Sequence, residues 1–427
     1  MLFNVFIITS AVKLNCEYDT IQDYICNVEN IYIARAGVKV TEVSGKHLEG
    51  KTNADVTCLV FVYQNISSLP HGVFNFFPNL NSIVVTVSEP FTRLTKDDFE
   101  NEERIHDLAI SNGYLKTISL NSLDKFINLK TLNLGSNHIA VLPRGTLSKL
   151  TSLEVFKFGG NEVTVLHQDL LYNCPNLKEV DFSGNKLTTI HQNLFKENSL
   201  LETIVLYNNQ INFLHQDSFT KLPNLKHLNI GLNKLTKLNA NLFSHNTNLE
   251  TLMLYFNQLT SIDVNQFATN VKLQELTLQD NSLTAFPAQL IANNIQLNII
   301  HLNENKIQSL DAKIFGNHTQ MITIRLEKNE ITRIEAGTFT KSLQLKNVFI
   351  GSNELTYISK DAFVNIPTLV LVDLRDNRCI NGIYSSSDLT FPQLIQMIED
   401  KCTNFNVEND LKVKKVGFWK TLWNKIG

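Results

Sequence analysis

Leu132-Asn133-Leu134-Gly135-Ser136-Asn137-His138-Ile139-Ala140-Val141-Leu142 is the stretch that decides the fold. Its frame, L-x-L-x-x-N-x-I-x-x-L, returns every 24 residues. The asparagine recurs at Asn161, Asn185, Asn209, Asn233, Asn257, Asn281, Asn305, Asn329, Asn353 and Asn377, eleven copies without a slip. Ile324, Leu326, Asn329, Ile331 and Ile334 carry the same frame late in the chain. In L-x-L the leucines of a short strand point inward and the x residues outward. A fixed period of this length describes a chain that grows by stacking neighbours, each burying its apolar face on the next.

Working outward, three irregular copies precede the regular ones. Leu59, Phe61, Ile66 and Leu69 fit the frame with Gln64 in the asparagine slot; Ile83 with Val85 and Leu108 with Ile110 follow, the last with Gly113 in the slot. This is the leucine-rich repeat pattern. The predicted fold is an α/β solenoid: a right-handed horseshoe of about 14 repeats of 24 residues, with a parallel concave sheet and disulfide caps at both ends. The asparagines sit where the chain leaves each strand, and their amides are placed to bond the buried turn backbone. They are read as structural. Phe195, Phe219, Phe243, Phe267, Phe315, Phe339 and Phe363 lie ten residues after an asparagine and are read as convex-side core.

The six cysteines are placed at the ends of this array, Cys174 excepted. Cys16–Cys26 and Cys379–Cys402 are expected as disulfides, which implies an oxidising compartment. Cys58 is left over: it pairs with Cys16 or Cys26 in the cap, the favoured outcome, or is open to an intermolecular bond. Cys174 occupies a slot filled by Leu150 and Leu222 in other repeats and reads as a core thiol. Residues 1–15 resemble a signal peptide without basic residues at its start. No run of about 18 apolar residues follows. The organisation expected is a leader over 1–15, an N-terminal cap over 16–57, repeats over 58–378, a C-terminal cap over 379–405 and a basic tail over 406–427. Asn65 and Asn317 head glycosylation triplets. Secretion to the extracellular space fits these features; an intracellular scaffold with free thiols is the competing reading.

The net charge of −3 leaves no whole-chain footprint for nucleic acid. No P-loop, H-E-x-x-H, G-x-S-x-G or Cys/His set at metal spacing occurs. The chain is therefore read as non-enzymatic, with no cofactor and no metal. His167, His191 and His215 recur at the repeat period, each followed by Gln, and read as exposed convex turns rather than a metal ladder.

Binding is expected on the concave face, where the outward strand residues vary from repeat to repeat. Val205, Tyr207, Met253 and Tyr255 surround Gly231, with His227 and Asn229 beside them. Tyr and Met are favoured at interfaces, and Gly231 is expected to leave a dip between the tyrosines. His301, Arg325 and Glu327 belong to a mixed-charge patch further on, with Glu275, Asp373 and Arg375. Residues 411–427 of the tail carry five lysines and no acid, with Phe418, Trp419, Leu422 and Trp423 on one side of a predicted helix. That pattern suits a membrane surface or a partner; packing on the solenoid itself is the alternative.

Three stretches carry a family resemblance: Val43–Val56 (VSGKHLEGKTNADV), Phe76–Leu80 (FFPNL) and Leu374–Ile380 (LRDNRCI). Over roughly residues 16–405 the chain resembles secreted animal leucine-rich repeat proteins with cysteine caps. The most similar group is the leucine-rich repeat immune proteins of mosquitoes and other flies; Toll-like receptor ectodomains are also similar. The resemblance implies an extracellular, innate-immune recognition protein whose ligand is a protein or a microbial surface molecule. An extracellular-matrix or adhesion scaffold is the alternative, and oligomeric state is left open. The mosquito proteins carry a long C-terminal coiled coil; the 25 residues after Cys402 hold none, so covalent pairing is not carried over.

Overall fold

The computed structural model describes residues 11–20, 23–86, 89–339, 341–388 and 391–403. The chain is a parallel-strand solenoid of about 15 turns spaced by about 24 residues. It divides into two compact units, Met1–Leu228 and Asn229–Gly427, taken here one at a time.

In the first unit the strand Tyr24–Glu29 pairs in parallel with Cys58–Val62, Ile25 opposite Cys58. The same direction continues through Ser82–Thr86, Asp107–Ser111, Thr131–Asn133, Val155–Lys157, Glu179–Asp181 and Thr203–Val205. Counting from Leu59 gives about 14 repeats; Tyr24–Glu29 is a further rung, inside the expected cap. It lacks the asparagine and its flanking frame, so no periodic signal marks it. Ala11–Thr20 runs antiparallel to Tyr24–Glu29 and, in its first half, parallel to Lys39–Ser44. Leu14, Cys16 and Tyr18 alternate inward and are buried. The cap sheet thus takes in Ala11–Asn15, which the sequence reading gives to the leader. Gly45 is required where the chain leaves this sheet: its φ is +141°, and a Cβ there would lie 2.2 Å from the Cys16 carbonyl oxygen.

In the second unit Thr251–Met253, Glu275–Thr277, Ile299–His301, Thr323–Arg325, Asn347–Phe349 and Leu371–Asp373 stack in parallel register. An antiparallel strand, Ile383–Ser385, closes the edge on Leu371–Asp373. The helix Phe391–Lys401 follows, with Leu394 and Ile398 fully buried. Unpaired strand edges invite association, and both ends of the array are covered in this way. Cys16–Cys26 and Cys379–Cys402 staple the two caps, with Cα separations of 5.1 and 5.0 Å.

The α/β expectation narrows to a β-solenoid. The convex connections are turns and short 3-10 segments such as Ala288–Ile291 and Lys360–Ala362. The phenylalanine column is buried as expected, with stacked neighbours at 6.2 Å (Phe195–Phe219), 6.3 Å (Phe243–Phe267) and 5.4 Å (Phe339–Phe363). Each buried ring contributes on the order of 1.5–3 kcal/mol.

Asn281 shows how the ladder works. Its Nδ2 donates to the carbonyls of Leu254 (3.1 Å) and Leu278 (3.0 Å), and its Oδ1 accepts from the Leu259 amide (3.0 Å). One side chain thereby bonds its own turn and the turn of the preceding repeat. The residue before each asparagine is left-handed whatever its identity: Ser136, Gly160, Leu232, Phe256, Asp280 and Lys328 all have positive φ. For Leu232 and Phe256 this conformation is unfavourable in itself, and the ladder holds it.

A second polar column lies thirteen residues after the first. Asn198, Asn246, Asn270 and Asn294 are wholly buried, and His318 continues the spacing. Asn270 Nδ2 donates to the carbonyls of Phe243 (3.0 Å) and Asn246 (2.9 Å), and His318 Nε2 lies 3.0 Å from the Ile291 carbonyl. The signal was available in the sequence as a 24-residue echo of Asn at a slot that leucine fills elsewhere.

Candidate binding surface

The outward strand residues form one continuous surface that the repeat frame leaves free to vary. In the first unit these include Val205 and His227, at the ends of short strands, and Tyr207. Val205 and Tyr207 are half-buried and His227 is exposed. Further back, Asn133 and Asp181 fold over the strand, accepting from the amides of Gly135 (2.9 Å) and Ser183 (2.8 Å). With Ser111, Ser136, Lys157 and Gly159 they border a polar hollow of about 270 Å³. Lys157 pairs there with Glu179 at 3.3 Å.

In the second unit, Asn229 accepts from the Gly231 amide at 3.0 Å, and Met253 and Tyr255 lie half-buried on the following repeat. The dip expected at Gly231 is filled. The Tyr255 ring lies on the glycine, so that an added Cβ would stand 2.7 Å from its Cζ. The missing side chain makes a seat for a neighbouring ring rather than an opening. Tyr255 also meets exposed Phe256 edge-on at 6.1 Å.

The mixed-charge patch resolves into a hollow of about 400 Å³ on the same face, with Gln279, His301, Asn303, Arg325 and Phe349 among its lining. The Arg325 guanidinium sits 4.6 Å from the Phe349 ring centre, and its Nη1 lies 3.3 Å from Glu327 Oε1. Burial lowers the His301 pKa, and Arg325 lowers it further. The imidazole is therefore held neutral near pH 7. Burial raises the Glu327 pKa, and its Oε2 has no hydrogen-bond partner. Asp373 and Arg375 form a two-point pair at 2.6 and 3.0 Å. Burial alone would raise the Asp373 pKa; the Arg375 contacts reverse that and lower it. At the hollow's margin burial, then Glu304, push Asp280 up to about 6, while Lys328 lies 2.8 Å from Glu304.

Other expected sites fall out differently. Cys58 forms no disulfide, because Cys16 and Cys26 pair with each other. It is buried instead, and the pairing expected for it within the cap does not form. Cys174 is buried, with its Sγ 3.6 Å from the Leu147 carbonyl, and burial pushes its pKa up to about 12. His167, His191 and His215 accept through Nδ1 from the amides of Asp169, Asn193 and Asp217, so the column caps convex turns. Asn65 and Asn317 are exposed. Phe418, Trp419, Leu422 and Trp423 lie outside the described residues. Among the described residues no helix is long and apolar enough to cross a membrane, and no group of three or more His, Cys, Asp or Glu could hold a metal ion.

The BspA type leucine rich repeat region matches the chain in six copies, which together span residues 19–370. No curated protein matches it. Among solved structures it is similar to Toll from the Drosophila Toll–Spatzle complex, at 22% identity and TM-score 0.62, covering 75% of this chain and 46% of that one. The chain thus spans about half the length of that receptor structure. A leucine-rich repeat protein of Leptospira interrogans is similar at 22% identity and TM-score 0.59, over 83% of this chain and 96% of that one. The LRIM1/APL1C complex gives 18% identity and TM-score 0.56, over 86% and 64%. At these identities the likeness speaks for the fold.

Proposed function

The chain belongs to the BspA-type leucine-rich repeat family, and from that premise we propose that it is a non-enzymatic extracellular recognition protein of innate-immune type. It binds a protein ligand on the concave, outward face of its parallel sheet. The observation that carries this reading is the contrast within each repeat. The inward frame is held by leucines and a bonded asparagine, while the outward positions change chemistry from Lys157 to Val205 to Tyr255 to Arg325. Aromatic and arginine side chains set among half-buried polar groups are what protein interfaces enrich. The Toll–Spatzle and LRIM1/APL1C complexes are protein assemblies that each contain a similarly folded chain, which supports a protein as the partner class. The two disulfides fit an oxidising compartment.

The test uses the intact chain, immobilised and exposed to extracellular fluid, against two face variants. One carries Val205→Ala with Tyr207→Ala, the other Met253→Ala with Tyr255→Ala. A specific protein captured by the native chain and lost from either variant supports the reading. Capture unchanged in both, or no captured protein at all, overturns it.

A further inference from the structure

The hollow of the second unit has a surplus of hydrogen-bond acceptors. Each cation around it already faces an anion: Arg325 meets Glu327 at 3.3 Å, Lys328 meets Glu304 at 2.8 Å, and Arg375 meets Asp373 at 2.6 Å. Arg325 is held a second time by the Phe349 ring, 4.6 Å away, which keeps its guanidinium against that wall. What is left over is oxygen. Glu327 Oε2, Gln279 Oε1 and Thr277 Oγ1 are buried without a partner. Thr277 is only 4% exposed and stands opposite His301 in the strand register. Beside them burial, and then the charge of Glu304, push the Asp280 pKa up to about 6.

Buried acceptors without donors cost free energy, and so do adjacent carboxylates. One kind of group relieves both: a cation with several N–H donors. His301 does not supply it, because burial and Arg325 favour its neutral form. An anion finds no unengaged cation here. A sugar would want an open aromatic face, and the Phe349 face already carries Arg325. We infer that this hollow receives a basic side chain, arginine or lysine, from the protein partner, with Gln279 in its lining and Asp280 and Glu327, next to the lining residues Gln279 and Arg325, as its acceptors. This rests on the recognition reading above and gives it a chemical identity on the partner's side.

The probe is a labelled glycine–serine peptide carrying three spaced arginines, titrated into the full chain. Its control carries citrulline, the neutral isostere, in place of arginine. The arginine peptide is expected to bind at least tenfold tighter. Hydrogen exchange should slow in residues 275–280, 299–304 and 323–328. Asp280→Asn with Glu327→Gln, both shape-conserving, should weaken arginine binding at least tenfold. Glu154→Gln and Glu202→Gln, in the first unit, should leave it unchanged. Equal affinity for the two peptides, slowed exchange elsewhere, or an unaffected double variant overturns the inference. A natural partner that is captured on this face and still binds after its lysines are acetylated and its arginines converted to citrulline sinks the cation and spares the recognition reading.

Discussion

Tyr255 rests its ring on the backbone of Gly231, one repeat away, where even a methyl group would come within 2.7 Å of Cζ. The pair fixes the direction of the Tyr255 ring beside exposed Phe256. Gly231→Ala should displace the ring, because the added methyl would overlap it and the strand backbone cannot give way. Surface changes of this kind cost about 0.5 kcal/mol. The expected result is a small loss of stability in denaturant unfolding, with partner capture reduced as far as in Tyr255→Ala. Full capture by Gly231→Ala would remove this seat from the recognition surface.

Asn281→Ala should be far more costly than any outward substitution. It removes donors to the Leu254 and Leu278 carbonyls and the acceptor of the Leu259 amide, all buried. Leaving such groups unpaired costs about 1–3 kcal/mol each, so a total near 3 kcal/mol is expected after partial relaxation. In a repeat array the loss should be local. Hydrogen exchange of residues 254–283 should accelerate before that of the first unit; uniform acceleration would contradict the ladder's nearest-neighbour role.

Cys58 and Cys174 should resist alkylation in the folded chain. Both are buried and burial raises both thiol pKa values, Cys174 to about 12. The thiolate is the reactive form, and at pH 8 little of it exists. Mass spectrometry after iodoacetamide should find neither labelled natively and both labelled in denaturant without reductant. Native labelling of Cys58 would show it open to an intermolecular bond.

Stability should respond to pH through Asp280. Its folded pKa, about 6, lies above the model-peptide value of 3.8. A raised pKa contributes stability that is fully present below the unfolded value and is lost as pH rises through the folded one. The native chain should therefore lose this contribution between about pH 4 and pH 6 and lack it at pH 7. Asp280→Asn should match the native Tm near pH 4 and exceed it at pH 7. His301 and His318, whose folded pKa values are lowered by burial, change stability in the opposite direction in both chains and cancel in the comparison. A Tm difference independent of pH would contradict the raised pKa of Asp280.

The sequence by itself determined the repeat. Eleven asparagines at one period set the strands, the inward direction of the frame leucines and of the phenylalanine column, and the positions displayed outward. That was legible because a repeat satisfies its hydrogen bonds and buries its rings against neighbours at a fixed chain distance, so local spacing and tertiary contact are the same information. Cys16–Cys26 and Cys379–Cys402 were legible for a related reason, since an array must be closed at its ends. Tertiary structure alone decided what the outward residues do to one another. Tyr255 fills the place of a side chain that Gly231 lacks, Arg325 leans on Phe349, and burial, then the Glu304 carboxylate, raises the pKa of Asp280. Tyr24–Glu29 joins the sheet without the asparagine that marks the others. These relationships depend on side-chain direction between adjacent strands, which no period encodes.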